Sequence, residues 1–203
     1  MLPMPVRLKF TKTGSLQFIS HLDLNRTMKN VMIRAKMPIH YTEGFNPHPK
    51  MTFALPLSIG AESVCELLDF KLDAEVSYEE IKERMNCALP PEMRVLEAYE
   101  PMAKFSDIHY AEYEIGTSEF FSVDVLEQDA IVVMKRTKSG TKESDIKPLI
   151  YSWERISEGI RCVLCADSAR FLNPEYLASL LGLNDYTILR KRVLISDGVT
   201  EFR

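Results

Sequence analysis

Three of the four histidines, His21, His40 and His48, fall within the first 50 residues, together with Asp23 and Glu43. Imidazole titrates near neutral pH, so His21 or His48 can act as a general acid or base, or as an anion contact when protonated. His48 lies in Tyr-Thr-Glu-Gly-Phe-Asn-Pro-His-Pro-Lys at 41–50. Pro47 and Pro49 lack amide donors and push Asn46 and His48 toward extended geometry, and Gly44 permits a turn, so the stretch is predicted to be a stiff, shaped loop. Asn46 can read a polar edge and Phe45 or Tyr41 can stack on a base, while Arg7, Lys9, Lys12, His48 and Lys50 supply positive charge. These are the contacts expected for single-stranded RNA or a nucleotide.

His21 and Asp23 open a predicted helix, where free backbone amides and the helix dipole favour an anion such as a phosphate. The same residues have plainer roles: Asp23 as a capping carboxylate, Phe45 as a core plug beneath the loop, Asn46 as a turn residue and His40 as structural. A divalent ion on His21, Asp23 and His48 is chemically conceivable, but the spacing matches no ligand pattern, and no metal is expected. Phosphate loops, dinucleotide-binding glycine fingerprints and nucleophile elbows are absent from the sequence.

These residues need a scaffold. Residues 2–10 alternate around Val6, Leu8 and Phe10, as a strand with one dry face does. Ser20 and Asp23 resemble a capping box, and Leu24, Met28, Val31, Met32 and Ala35 recur at helical spacing over 22–36, ended by Pro38. Strands are predicted at 51–55, 62–73 and 93–99, with a second helix opened by Ser77 and Glu80 and stopped by Pro90 and Pro91. The order strand, helix, strand, strand, helix, strand is the split βαβ, or ferredoxin-like, pattern.

Beyond Pro101, strands are predicted at 108–115, 130–136 and 186–195, a basic hairpin-like tip at 135–142, and a hairpin of 151–156 with 160–166. A helix is predicted to begin at Asn173-Pro174, with Tyr176, Leu177, Leu180 and Leu181 inward. Residues 118–127 read as ambiguous, with helix one option. The expectation is an α+β chain of tandem ferredoxin-like sandwiches, 1–101 carrying the loop and 102–203 the second.

The 203 residues suit one domain or two small ones, and 46% hydrophobic with 27% charged residues is an ordinary globular balance. Up to Ser58 there are eight basic and two acidic residues, so a chain of net charge −4 begins with a segment of +6. A local anion-binding face on an acidic protein follows, unless these are simply solvated charges. Neither an apolar run of membrane length nor a secretory leader pattern is present, and a cytoplasmic location is expected. The four cysteines fit reduced thiols. Cys162 and Cys165 share a Cys-x-x-Cys spacing but lie in a strand-like stretch with no second pair.

Phe-Ile-Ser-His-Leu-Asp-Leu at 18–24, the 41–50 stretch, and Phe-Ala-Leu-Pro-Leu-Ser-Ile-Gly at 53–60 together resemble the signature of the radical-SAM-linked domain-of-unknown-function family. Its members stand alone or are fused to cobalamin-binding radical SAM modules. Asp-Ile-Lys-Pro-Leu-Ile at 145–150 resembles a further family stretch, and Thr42 replaces a more usual Ser. A more distant similarity extends to the RAMP-superfamily CRISPR repeat-processing endoribonucleases, although this chain lacks their glycine-rich loop near the C-terminus.

The resemblance implies a radical SAM protein as partner but brings no established activity, and the RAMP similarity together with the residue chemistry supports RNA, ribosomal or transfer, as the expected ligand. Iron-sulfur cluster, S-adenosylmethionine and cobalamin would be held by the partner, with no cofactor on this chain. The expected function is an RNA-binding accessory protein in RNA modification or maturation. The alternatives are a metal-independent endoribonuclease using His21 or His48, and a protein-interaction module for the radical SAM partner. The expected RNA-binding set is Arg7, Lys9, Lys12, His21, Asp23, Tyr41, Glu43, Phe45, Asn46, His48 and Lys50.

Overall fold

The computed structural model describes residues 2–137, 140–167 and 169–203, without the side chains of Arg136 and Thr137. Lys138 and Ser139, within the predicted basic tip, lie outside the described residues. The chain divides into two compact units, the first ending at Phe105 and taking in Arg203, the second Ser106–Phe202. It is an α+β protein, and among the described residues no helix is long and apolar enough to cross a membrane.

The first unit contains β1 (Met4–Lys12), α1 (His21–Arg34), β2 (Thr52–Phe53), β3 (Ala61–Leu72), α2 (Tyr78–Ala88) and β4 (Val95–Tyr99). β1 is flanked by β4 and β3, and β3 also pairs with β2, every pairing antiparallel. The period-two pattern of β1 puts Val6, Leu8 and Phe10 in a core with Leu24, Met28, Val31 and Met32 of α1 and Ile81 and Met85 of α2.

Both helix starts follow from their caps: Ser20 Oγ accepts the Asp23 amide at 3.1 Å and Ser77 Oγ the Glu80 amide at 3.2 Å. The two C-terminal ends cap one another. Arg34 donates to Ala88 O (2.8 Å), and Arg84 donates to Ala35 O (3.0 Å) and to Lys36 O.

The second unit contains β5 (Tyr110–Gly116), α3 (Asp124–Glu127), β6 (Val132–Thr137), β7 (Gly140–Asp145), β8 (Ile150–Ile156), β9 (Gly159–Cys165), α4 (Glu175–Leu180) and β10 (Thr187–Leu194). β5 lies between β10 and β9, and β9 pairs with β8, again all antiparallel. Between β5 and β8, where the first unit carries the 14-residue α1, stand a four-residue helix and the separate β6–β7 hairpin. The ambiguity of 118–127 thus resolves into one short turn of helix, which buries only Leu126. On α4 the buried residues are Leu177 and Ala178, and Tyr176 and Leu180, expected inward, are half-buried.

Cys162 and Cys165 are free, buried thiols on β9, and burial, with Glu112 nearby, pushes the Cys162 thiol far up. Cys162 is thus packed in the core as a protonated thiol.

Candidate functional site

The 41–50 loop is an excursion from a strand. Ile39 faces Leu72 of β3, and the His40 amide donates to Lys71 O; Thr52 then faces Asp69. The chain therefore leaves β3 after His40 and rejoins it at Thr52, and the eleven residues between are extruded from one edge of the sheet.

The excursion is closed at its neck. Tyr41 bridges Pro49, the Thr42 amide donates to His48 O at 2.9 Å, and the His48 amide donates to Thr42 Oγ1 at 3.2 Å. Gly44, at φ +121°, turns the chain in a region that side chains avoid. Pro49 is buried at the neck, whereas Tyr41, Glu43, Phe45, Asn46, His48 and Lys50 are exposed. Phe45 is wholly exposed, which excludes its role as a core plug.

His48 Nδ1 lies 3.1 Å from Asn46 O and 3.2 Å from Thr42 Oγ1. A carbonyl only accepts, so the contact with Asn46 calls for a proton on Nδ1. At the base of the loop, His40 Nδ1 lies 2.7 Å from Asp73 Oδ1, which fixes that ring as well.

His21 and Asp23 stand exposed at the start of α1. The Ser20 hydroxyl donates to Asp23 Oδ2 at 2.7 Å, and Arg26 lies 3.3 Å from Oδ1. The hydroxyl bond and then the guanidinium hold the Asp23 carboxyl below its ordinary range. Asp23 thus fills the capping role considered from sequence. The His21 ring packs edge-on against Phe53 of β2 at 5.3 Å, and Phe53 in turn meets Phe10 at 6.4 Å. The helix start and the loop are related through β2: among the described residues no hydrogen bond, ion pair or ring contact joins 20–23 to 41–50.

The basic residues of β1 are placed differently from the expectation that they converge on the loop. Arg7 is 1% exposed, bound to Asp69 by two bonds of 2.7 and 2.8 Å and to Ala103 O at 2.9 Å, with its guanidinium 4.4 Å from the Phe105 ring centre. Lys12 is 2% exposed, its Nζ 3.4 Å from Gln17 O. Lys9 is half-buried opposite Glu97 of β4. Alternation showed which side of β1 faces the helices; it could not show that the other side is covered as well.

Sequence reasoning passed over Thr42, which locks the neck, and Phe53, which seats His21. The separation of Thr42 from His48 across a glycine was the available signal. Among the described residues no group of three or more His, Cys, Asp or Glu side chains is placed to hold a metal ion. A depression of about 540 Å³ beside the start of β1 and of α2 is lined by Asp73, Glu75 and Glu100 with Met4, Val76 and Tyr78. Among the described residues its lining has no Lys or Arg and none of the residues 41–50, although Asp73 also meets His40 at the base of the loop.

Fold and site together define an α+β protein with a closed loop extruded from a sheet edge and tipped by an aromatic residue. The chain belongs to the family described as uncharacterized protein conserved in bacteria (DUF2344), whose match covers residues 6–174. That span begins within β1, takes in the elements through β9 and ends at Pro174, the N-cap of α4. No curated protein matches the chain.

Proposed function

We propose that this protein is a cytoplasmic RNA-binding accessory protein that works with a radical SAM enzyme in RNA modification or maturation, and that its two units are tandem ferredoxin-like sandwiches. The fold reading is supported by strand order. In both units the first strand lies between the fourth and the third, with the second outside the third, once the β6–β7 hairpin is set aside. The partnership is supported by the resemblance of 18–24, 41–50 and 53–60, and any iron-sulfur cluster, S-adenosylmethionine or cobalamin belongs to that partner.

The observation that carries RNA binding is the wholly exposed Phe45 on a neck-locked loop, with Asn46, His48 and Lys50 exposed around it. Holding a large ring in water costs hydrophobic free energy, and a loop closed in advance loses little entropy when a base stacks on that ring. Arg7 and Lys12 leave the binding set because they are buried, and the loop residues form its centre.

Fluorescence anisotropy with a labelled single-stranded RNA tests this. Phe45→Ala is expected to weaken binding by about 1–3 kcal/mol, and Lys50→Ala to weaken it and lower the salt slope by about 0.7. Absence of salt-sensitive binding by the unaltered protein would refute the reading.

The exposed imidazole of His48 on the loop favours one second reading, metal-independent cleavage of the bound RNA. Labelled RNA that stays intact after long incubation with the protein in chelator removes it.

A further inference from the structure

The exposed side of α1 and the segment after it carry Arg26, Lys29, Arg34 and Lys36, and from Leu24 to Thr42 the chain has no acidic residue. α2 shows the usual treatment of surface charge, with Lys82 paired to Glu79 at 4.0 Å and Arg84 to Glu80 at 3.3 Å. α1 does otherwise. Among the described residues Arg26 has Asp23 at 3.3 Å, but Arg34 meets only the Ala88 carbonyl, and Lys29 and Lys36 have no acidic partner.

Neighbouring cations on one helix repel each other locally, a cost that intrahelical pairing with acidic residues would relieve. The negative end of each helix is already covered, because Arg34 and Arg84 donate to the terminal carbonyls. Beside them lies a depression of about 540 Å³ lined by Arg34, Lys36, Arg84, Glu83 and Cys87. Lys36, in the left-handed region at φ +53°, ends the helical segment, and the chain then runs through His40 directly into the loop.

We infer that α1 is a phosphate track: a single-stranded RNA stacked on the loop continues along this helix, its phosphates meeting Lys36, Lys29 and Arg26 in turn, while Arg34 is turned onto α2. The inference rests on the RNA-binding reading and extends it to a footprint longer than the loop. From Arg26 to Lys36 the track spans about 15 Å at the helical rise per residue. Phosphate contacts of this kind fix the register of the strand without reading its sequence.

The test compares labelled oligouridylates of about 4 and about 12 nucleotides across a salt series, lengths at the lower limit of and well inside the range of single-strand site sizes. The double variant Lys29→Glu, Lys36→Glu changes only exposed or half-exposed side chains, and its fold is verified by circular dichroism. It is expected to lose at least about tenfold in affinity for the long oligomer and to lower its salt slope by about 1.4, roughly 0.7 for each lost phosphate contact, with little change for the short one. Phe45→Ala should weaken both. If the double variant binds the long oligomer with unchanged slope while Phe45→Ala still weakens binding, the track is refuted and the loop reading stands. If the unaltered protein binds neither oligomer, both fall.

Discussion

Arg7 and Lys50 carry the same charge and meet opposite fates. Arg7 is enclosed by Asp69, the Ala103 carbonyl and the Phe105 ring, whereas Lys50 stands exposed on the loop. Removing one partner of a buried pair strands the other charge, so Arg7→Ala is expected to destabilise the first unit by about 3 kcal/mol. That lies at the lower end for such pairs because Asp69 retains part of its contact with water. Lys50→Ala should change stability by no more than about 0.5 kcal/mol. Urea denaturation followed by far-ultraviolet circular dichroism checks both, and equal effects would contradict the burial contrast. Residue type announced a cation at each position. Its availability was decided by segments remote in sequence, since Asp69, Ala103 and Phe105 approach Arg7 only after folding.

The elements were largely legible because their signals are local. The Ser77 cap and the Pro90-Pro91 stop bracket α2, and the alternation of β1 survives in the buried Val6, Leu8 and Phe10. Ser77→Ala should cost about 1 kcal/mol, read as a lowered thermal midpoint. Two glycines separate strain from collision. Gly159, at φ +134° in the turn into β9, would place a Cβ 1.9 Å from the Ile115 carbonyl oxygen. Gly44, at φ +121°, has open space around it. Gly159→Ala is expected to cost upward of about 3 kcal/mol, and Gly44→Ala about 1–2 kcal/mol of backbone strain alone. A Gly159→Ala protein as stable as the parent would contradict the β5–β9 register. The same local signals failed at 118–127, where four helical residues bury a single leucine and leave too little periodicity to read.

At the scale of the whole molecule, acidic groups in both units are held below their ordinary pKa. Asp23 is held there by the Ser20 hydroxyl, Glu92 by Ser15, Asp145 by the Ile131 and Lys147 amides, and Asp197 by Thr200. Burial raises Glu114, but Arg161 and Lys191 outweigh it. Carboxyls depressed in the folded state bind fewer protons there than in the unfolded chain, so their contribution is complete above the unfolded pKa of about 4 and lost as pH falls through the folded values. Urea midpoints should therefore be level above about pH 5 and fall below about pH 4, and Glu114→Gln should shrink that fall. A midpoint that rises on acidification would contradict the assigned bonds.

The sequence by itself determined the α+β alternation, the helix caps, the stiffness of 41–50 and the concentration of positive charge before Ser58, because each depends on neighbours a few residues away. Tertiary structure decided that 41–50 is extruded between two pieces of chain paired with β3, that Phe45 faces water, and that Arg7 and Lys12 are buried while Lys29 and Lys36 stay exposed or half-exposed. Those outcomes depend on which distant segments cover a side chain, a property of the folded surface that no local pattern encodes.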